Sequence, residues 1–289
     1  MGLRGNRALD APLALALLVG TATVSAADMA VERGEYLFRA ALCGVCHTAK
    51  DGAYLAGGRA IASPFGTFYT SNITPHPQFG IGRWSDEDFV RALTEGVSPE
   101  GSHYYPAFPY TSYSRMKRED ILAIKAYLDA VEPVAQPNRE HDLAWYADWR
   151  WPVGLWKWLY FEPGALQEVP ERGPLWNRGA YLVEALGHCA ECHSARNSLG
   201  AVIEAQRYWG NPEGPDGEAV PDITPNKDSG IGGWTERMLV FFLEVGMAPD
   251  GDFAGGVMSE VIDQGTGRLN AEDRRAIAVY LRSLALSEH

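Results

Sequence analysis

With 289 residues, 46% of them hydrophobic and 21% charged, the chain has a globular composition and the length of one large domain or two ordinary ones. Its formal net charge of −12 excludes a nucleic-acid binder, argues against an anionic lipid surface, and suits steering toward a basic patch on a partner. All four cysteines fall in two pairs.

At the amino terminus Arg4 and Arg7 precede an apolar run over 11–19, and Val24-Ser25-Ala26 offers small residues for cleavage. This pattern predicts a secretory signal peptide over 1–26 and hence a bacterial periplasmic protein. The run is shorter than the about 20 apolar residues a membrane span needs. A helix is expected over 32–42, and after it comes Cys43-Gly44-Val45-Cys46-His47. Cys-x-x-Cys-His reads as a covalent haem attachment site: the thiols sit about one turn apart, each able to add to one vinyl group, and the histidine meets the iron.

The alternatives for such a pair are a zinc site, a dithiol redox pair or a structural disulfide. Zinc needs four ligands in one place, whereas here each pair carries its own histidine and opens its own copy of a repeat. Asn72-Ile73-Thr74-Pro75 and Gly80-Ile81-Gly82-Arg83-Trp84 return as Asp222-Ile223-Thr224-Pro225 and Gly230-Ile231-Gly232-Gly233-Trp234 at an offset of 150. The motif itself returns as Cys189-Ala190-Glu191-Cys192-His193 at an offset of 146. Exported thiols tend to pair as disulfides, so these four must stay reduced until two haem c groups are attached.

Ser85 followed by Asp88 predicts a capped helix over 86–95 ending at Gly96, and 235–245 ending at Gly246 is its counterpart. A closing helix is expected over 118–130 and again over 271–284, the latter capped by Asn270. Gly34 and Tyr36 match Gly179 and Tyr181 on the first helix of each copy; such a glycine and aromatic, facing an aromatic on the last helix, would let the two cross closely beside a haem edge. No segment reads as a sheet. The expected architecture is all-α: two tandem domains over 27–131 and 176–289, resembling class I cytochrome c, joined by a proline- and tryptophan-rich linker over 132–175. That linker is too aromatic to be floppy. It reads either as a strap packed along both domains or as an interfacial surface for peripheral membrane or partner contact.

The second iron, bound by His193, has a sixth ligand in view, Met258, which lies in a glycine-containing loop 24 residues after Trp234. The same count from Trp84 reaches Phe108, which cannot ligate iron. For the first iron, bound by His47, three readings stand in this order: Met116 through a rearranged loop, His103, or an open position. His76 ranks below these. Trp84 and Trp234 read equally as indole donors to haem propionates and as core.

The two haem motifs, the 72–75 and 80–86 stretches, the 105–110 segment and the 249–256 run ahead of Met258 together resemble the dihaem members of the cytochrome c subunit family of bacterial alcohol and gluconate dehydrogenases. The resemblance covers nearly the whole mature chain. It implies a protein passing electrons between a dehydrogenase, a terminal oxidase or another cytochrome, without breaking a substrate bond. Family members commonly have a third cytochrome domain and often methionine at the place of Phe108, so quinone reduction is not carried over. The competing reading is a dihaem enzyme, peroxidase-like or thiosulfate-oxidising, with the first haem as catalytic centre.

Overall fold

The Ser25 side chain accepts from the Asp28 N–H while Asp28 accepts from the Ser25 N–H, and this capping box starts helix α1 (Ala26–Ala40) ahead of the start expected from periodicity. The computed structural model describes residues 1–2, 25–214 and 217–286. The expected signal peptide lies, apart from its ends, outside the described residues.

A short helix α2 (Cys43–His47) follows, then a hairpin of β1 (Ala60–Ser63) and β2 (Gly66–Tyr69). Helix α3 (Asp86–Glu95) has the Ser85/Asp88 capping box and stops at Gly96 in the left-handed region, as expected. A turn of helix α4 (Tyr110–Tyr113) leads to α5 (Arg118–Ala130). Between the halves lie β3 (Asp142–Leu143) and α6 (Trp151–Tyr160). The second half repeats the order with α7 (Gly173–Tyr181), α8 (Ala190–His193), α9 (Glu236–Val245), α10 (Gly256–Gln264) and α11 (Ala271–Leu281).

Three expectations are corrected. The chain is not free of sheet: β1, β2 and β3 form a three-stranded antiparallel sheet in that order. The Ser63 hydroxyl closes the tight turn by donating to the Gly66 carbonyl and accepting from the Phe65 N–H, and the third strand is only two residues long, contributed from the other side of α5. Strands this short carry no readable alternation. Met258, in turn, lies in the first turn of α10 rather than in a loop, and the closing helix α11 ends at Leu281 rather than at residue 284.

The matched glycines sit where helices cross. A Cβ on Gly34 would fall inside the Ala123 carbonyl of α5 and 3.0 Å from Tyr127 Cβ; one on Gly179 would strike the Ala276 carbonyl of α11 and lie 2.8 Å from Tyr280 Cβ. The matched tyrosines do something else. Tyr36 donates to Asp273 of the opposite half at 2.7 Å, and Tyr181 donates to Asp120 of the first half at 2.7 Å. Each aspartate is held from its own half, by Arg178 and Arg33 respectively. The halves therefore exchange one tyrosine each in a reciprocal contact, and the aromatic that meets Tyr127 beside Gly34 is Phe38, with ring centroids 5.0 Å apart.

Residues 132–175 are tied to both halves. Val134 and Gln136 carbonyls accept from the Asn72 side chain, Lys157 donates to the Glu95 and Gly96 carbonyls at the end of α3, and the Trp156 indole donates to the Leu199 carbonyl of the second half at 2.9 Å. Lys157 thereby satisfies the Glu95 carbonyl, which the end of α3 leaves without an intrahelical partner.

Candidate metal centres

The repeated Asn/Asp-Ile-Thr-Pro stretch places a backbone carbonyl. Asn72 Oδ1 accepts from the Thr74 N–H at 2.9 Å and the Thr74 hydroxyl at 2.7 Å, and Asp222 Oδ1 accepts from the Thr224 N–H at 2.6 Å, turns that fix the chain just after Ser71 and Pro221. Gly80 and Gly230 lie where a Cβ would strike the carbonyls of Thr74 and Thr224, which explains the glycines of the second repeated motif. The Ser71 carbonyl then lies 2.6 Å from His47 Nδ1, and the Pro221 carbonyl 2.8 Å from His193 Nδ1. A carbonyl only accepts, so each Nδ1 carries the proton and each Nε2 keeps its lone pair for a metal. Burial lowers the pKa of both imidazoles, keeping them neutral.

The thiols match a haem better than the alternatives. Burial pushes Cys43 and Cys189 up to about 12 and Cys192 to about 11, whereas a dithiol redox pair works through a lowered pKa. Among the described residues, no three His, Cys, Asp or Glu side chains gather as a metal cluster, so zinc lacks its ligand set. Two thiols one helical turn apart, followed by an oriented neutral histidine, fit covalent haem with the iron on Nε2.

The two motifs lie against each other. Tyr113 borders Cys43 and donates to the Ala41 carbonyl at 2.6 Å; its ring is 5.5 Å from that of His188, edge to face, and His188 precedes Cys189. The Cys46 thiol is near enough to bear on Cys192 electrostatically. Glu191, inside the second motif, accepts from Thr111 and Ser112 of α4, while Arg59 behind the first motif pairs with Glu260 of α10. Each half thus props the other's motif helix, an arrangement that local sequence does not announce.

Met258 is half-buried on α10, beyond a bridge between Met247 and Phe253 that repeats the Val97–His103 bridge at the same offset. Phe108, its counterpart, stands among Tyr104, Tyr110 and Tyr113 at centroid distances of 5.6, 6.3 and 5.8 Å. Met116 is buried at 2% exposure just before α5, as Leu269 is at 5% before α11. His103 Nδ1 lies 3.1 Å from Lys157 Nζ, and its carbonyl accepts from Arg150 of the connecting segment. His76 stacks on Phe79. Trp84 and Trp234 are half-buried against the core in identical turns, each backbone N–H donating to the carbonyl of the residue three before it, Ile81 or Ile231.

Helical halves carrying Cys-x-x-Cys-His with an oriented histidine define the class of c-type cytochromes, and a cytochrome c family model matches residues 31–132. The chain is 39% identical over 302 aligned positions to a dihaem cytochrome c-type protein of Cereibacter sphaeroides, covering 98% of this chain and 100% of that one. It is 37% identical to the cytochrome c subunit of a quinone-dependent alcohol dehydrogenase of Gluconobacter oxydans and 38% to that of a gluconate 2-dehydrogenase of Pantoea cypripedii, covering 93% and 95% of this chain. It spans only 58% and 65% of those two subunits. The chain belongs to the dihaem c-type cytochromes, whose cofactor is covalently bound haem c.

Proposed function

We propose that the chain is an exported periplasmic electron carrier in which two tandem cytochrome c-like domains, over 27–131 and 176–289, are joined by the aromatic strap over 132–175. In this reading it relays single electrons from a dehydrogenase or other donor to a respiratory acceptor. Cys43 and Cys46 with His47 hold one haem c; Cys189 and Cys192 with His193 and Met258 hold the other. When bound, each haem supplies a one-electron ferrous/ferric couple whose potential follows axial ligand, burial and hydrogen bonding. The observation that carries the reading is the meeting of the two motifs across Tyr113 and His188, which puts two attachment sites in one contact network. Trp84 and Trp234 are assigned as propionate donors.

Met258→Ala is expected to remove the methionine–iron charge-transfer band at the red edge of the ferric spectrum and to lower one of the two midpoint potentials. Retention of the band in that variant defeats the assignment. At the first iron, the matched burial of Met116 and Leu269 favours a packing role for Met116, and the contacts of His103 favour one on the strap. Phe108 at the place of Met258 favours a second reading, a peroxidase-like or thiosulfate-oxidising enzyme acting at the first haem. Carbon monoxide added to the reduced wild-type protein tests this second reading: it requires binding at one haem, and no binding at either haem defeats it.

The strap also supplies the proposed membrane contact. Trp145, Trp151 and Trp158 are 78%, 69% and 79% exposed, and Trp151, Leu155, Trp158 and Leu159 line one side of α6 at helical spacing, while Val153 and Lys157 face inward. The 149–161 stretch holds Arg150 and Lys157 but no acidic residue, unlike the acidic chain around it. Tryptophan and leucine on one helix face suit the headgroup boundary. No helix among the described residues is long and apolar enough to cross a membrane. Replacing both Trp151 and Trp158 by serine is expected to weaken co-sedimentation with phosphatidylcholine/phosphatidylglycerol vesicles by on the order of tenfold or more, given about 1.5–3 kcal/mol per large apolar side chain buried.

A further inference from the structure

The halves differ inside the core beside the second motif. Gly34/Gly179 and Tyr36/Tyr181 are 145 residues apart but the haem motifs are 146 apart, so the second half carries one extra residue between Tyr181 and Cys189. A π-helical turn over Leu182–Leu186 absorbs it, with the Gly187 N–H reaching back to the Leu182 carbonyl. Such turns are single-residue insertions that recur at functional sites. Counting back from the first cysteine of each motif, this one places Glu184 where the first half has Phe38.

Glu184 is buried yet charged and fully partnered. Oε1 accepts from Tyr208 Oη at 2.7 Å and Tyr280 Oη at 2.6 Å, while Oε2 pairs with Arg207 at 2.7 Å and with Arg115 of the first half at 3.4 Å. The corresponding place in the first half is uncharged: Phe38 meets Tyr127, and Tyr127 Oη faces Tyr54 Oη at 3.3 Å. Burial works against ionisation of Glu184, but Arg207 and the two tyrosine hydroxyls outweigh it and hold the carboxyl below its ordinary range.

We propose that Glu184 is an electrostatic tuning residue that holds the reduction potential of the haem at Cys189 and Cys192 below the value its surroundings would otherwise set, a device the first half lacks. The inference rests on the reading that those cysteines carry a haem. Reduction adds an electron beside a fixed carboxylate in a low-dielectric interior, where that repulsion is stronger than in water. Arg207, paired with Oε2, opposes it, but Glu184 itself lies five residues before Cys189, on the turn that leads into the motif.

The test is a spectroelectrochemical titration of Glu184→Gln, Arg207→Gln and the double variant, each checked by haem content and circular dichroism. Glutamine keeps the side-chain volume and an acceptor for both tyrosines. Glu184→Gln is expected to shift one midpoint upward and leave the other in place, Arg207→Gln to shift the same midpoint downward, and the double variant to lie between wild type and Glu184→Gln. The double variant removes the ion pair as a unit, so a reading remains if one single variant fails to fold. Unchanged midpoints, equal shifts of both haems, or an upward shift in Arg207→Gln would overturn the proposal. A single covalent haem in the wild-type protein would instead overturn the reading beneath it.

Discussion

Serine at both Cys189 and Cys192 is expected to leave about half the wild-type haem per polypeptide in a pyridine haemochrome assay, the remaining haem being held at Cys43 and Cys46. The complementary variant, serine at Cys43 and Cys46, is expected to leave the other half. The oxygen of serine does not replace the thioether, and His47 and His193 each need their own covalently tethered macrocycle to be presented with iron. The two halves are not independent, however. Tyr36 reaches Asp273, Tyr181 reaches Asp120, and Glu191 is anchored by Thr111 and Ser112, so emptying either site loosens contacts that support the other. Each variant should therefore also melt earlier than wild type, with the surviving haem band lost in the same transition. Undiminished haem in the Cys189/Cys192 variant, with none in its complement, would make the second motif something other than a haem site.

The candidate sites were legible because the chemistry they suggest is local. Cys-x-x-Cys-His states its ligand set in five residues, and the repeated Asn72 and Asp222 turns marked the segments whose preceding carbonyls orient His47 and His193. Helix α3 was legible to the residue, since the Ser85/Asp88 box and Gly96 encode both of its ends. What escaped depends on contacts between distant parts. Tyr36 and Tyr181 were recognisable as a matched pair, but that they cross to the opposite half follows only from how the halves pack. Strand β3 exists because Gly66 lets the backbone at Asp142 approach closely, which no window around residue 142 reveals. The π-turn did leave a trace: an offset of 145 that becomes 146 between Tyr181 and Cys189 requires an inserted residue somewhere in that helix. Reading the first helix of the second copy as uniformly α-helical hides it, and with it Glu184.

Gly179→Ala is expected to be strongly destabilising, although alanine gains up to about 1 kcal/mol over glycine in helix propensity. The new methyl would strike the Ala276 carbonyl and lie 2.7 Å from its carbon and 2.8 Å from Tyr280 Cβ, so α7 and α11 must separate. Overpacking of this kind costs about 1–3 kcal/mol and occasionally more, and here the obstacle is backbone, which cannot rotate away. A net loss of about 2 kcal/mol corresponds to a fall in melting temperature of about 4–8 °C for a chain of roughly this size. Gly233→Ala is the matched control, because its Cβ would meet nothing within 4 Å, and its stability should stay within about 0.5 kcal/mol of wild type. The consequence reaches the site as well as the fold. Tyr280 Cβ is one of the atoms displaced, and its hydroxyl holds Glu184 beside Cys189, so Gly179→Ala should disturb the second haem's spectrum while Gly34→Ala, whose methyl would push on Tyr127, should disturb the first.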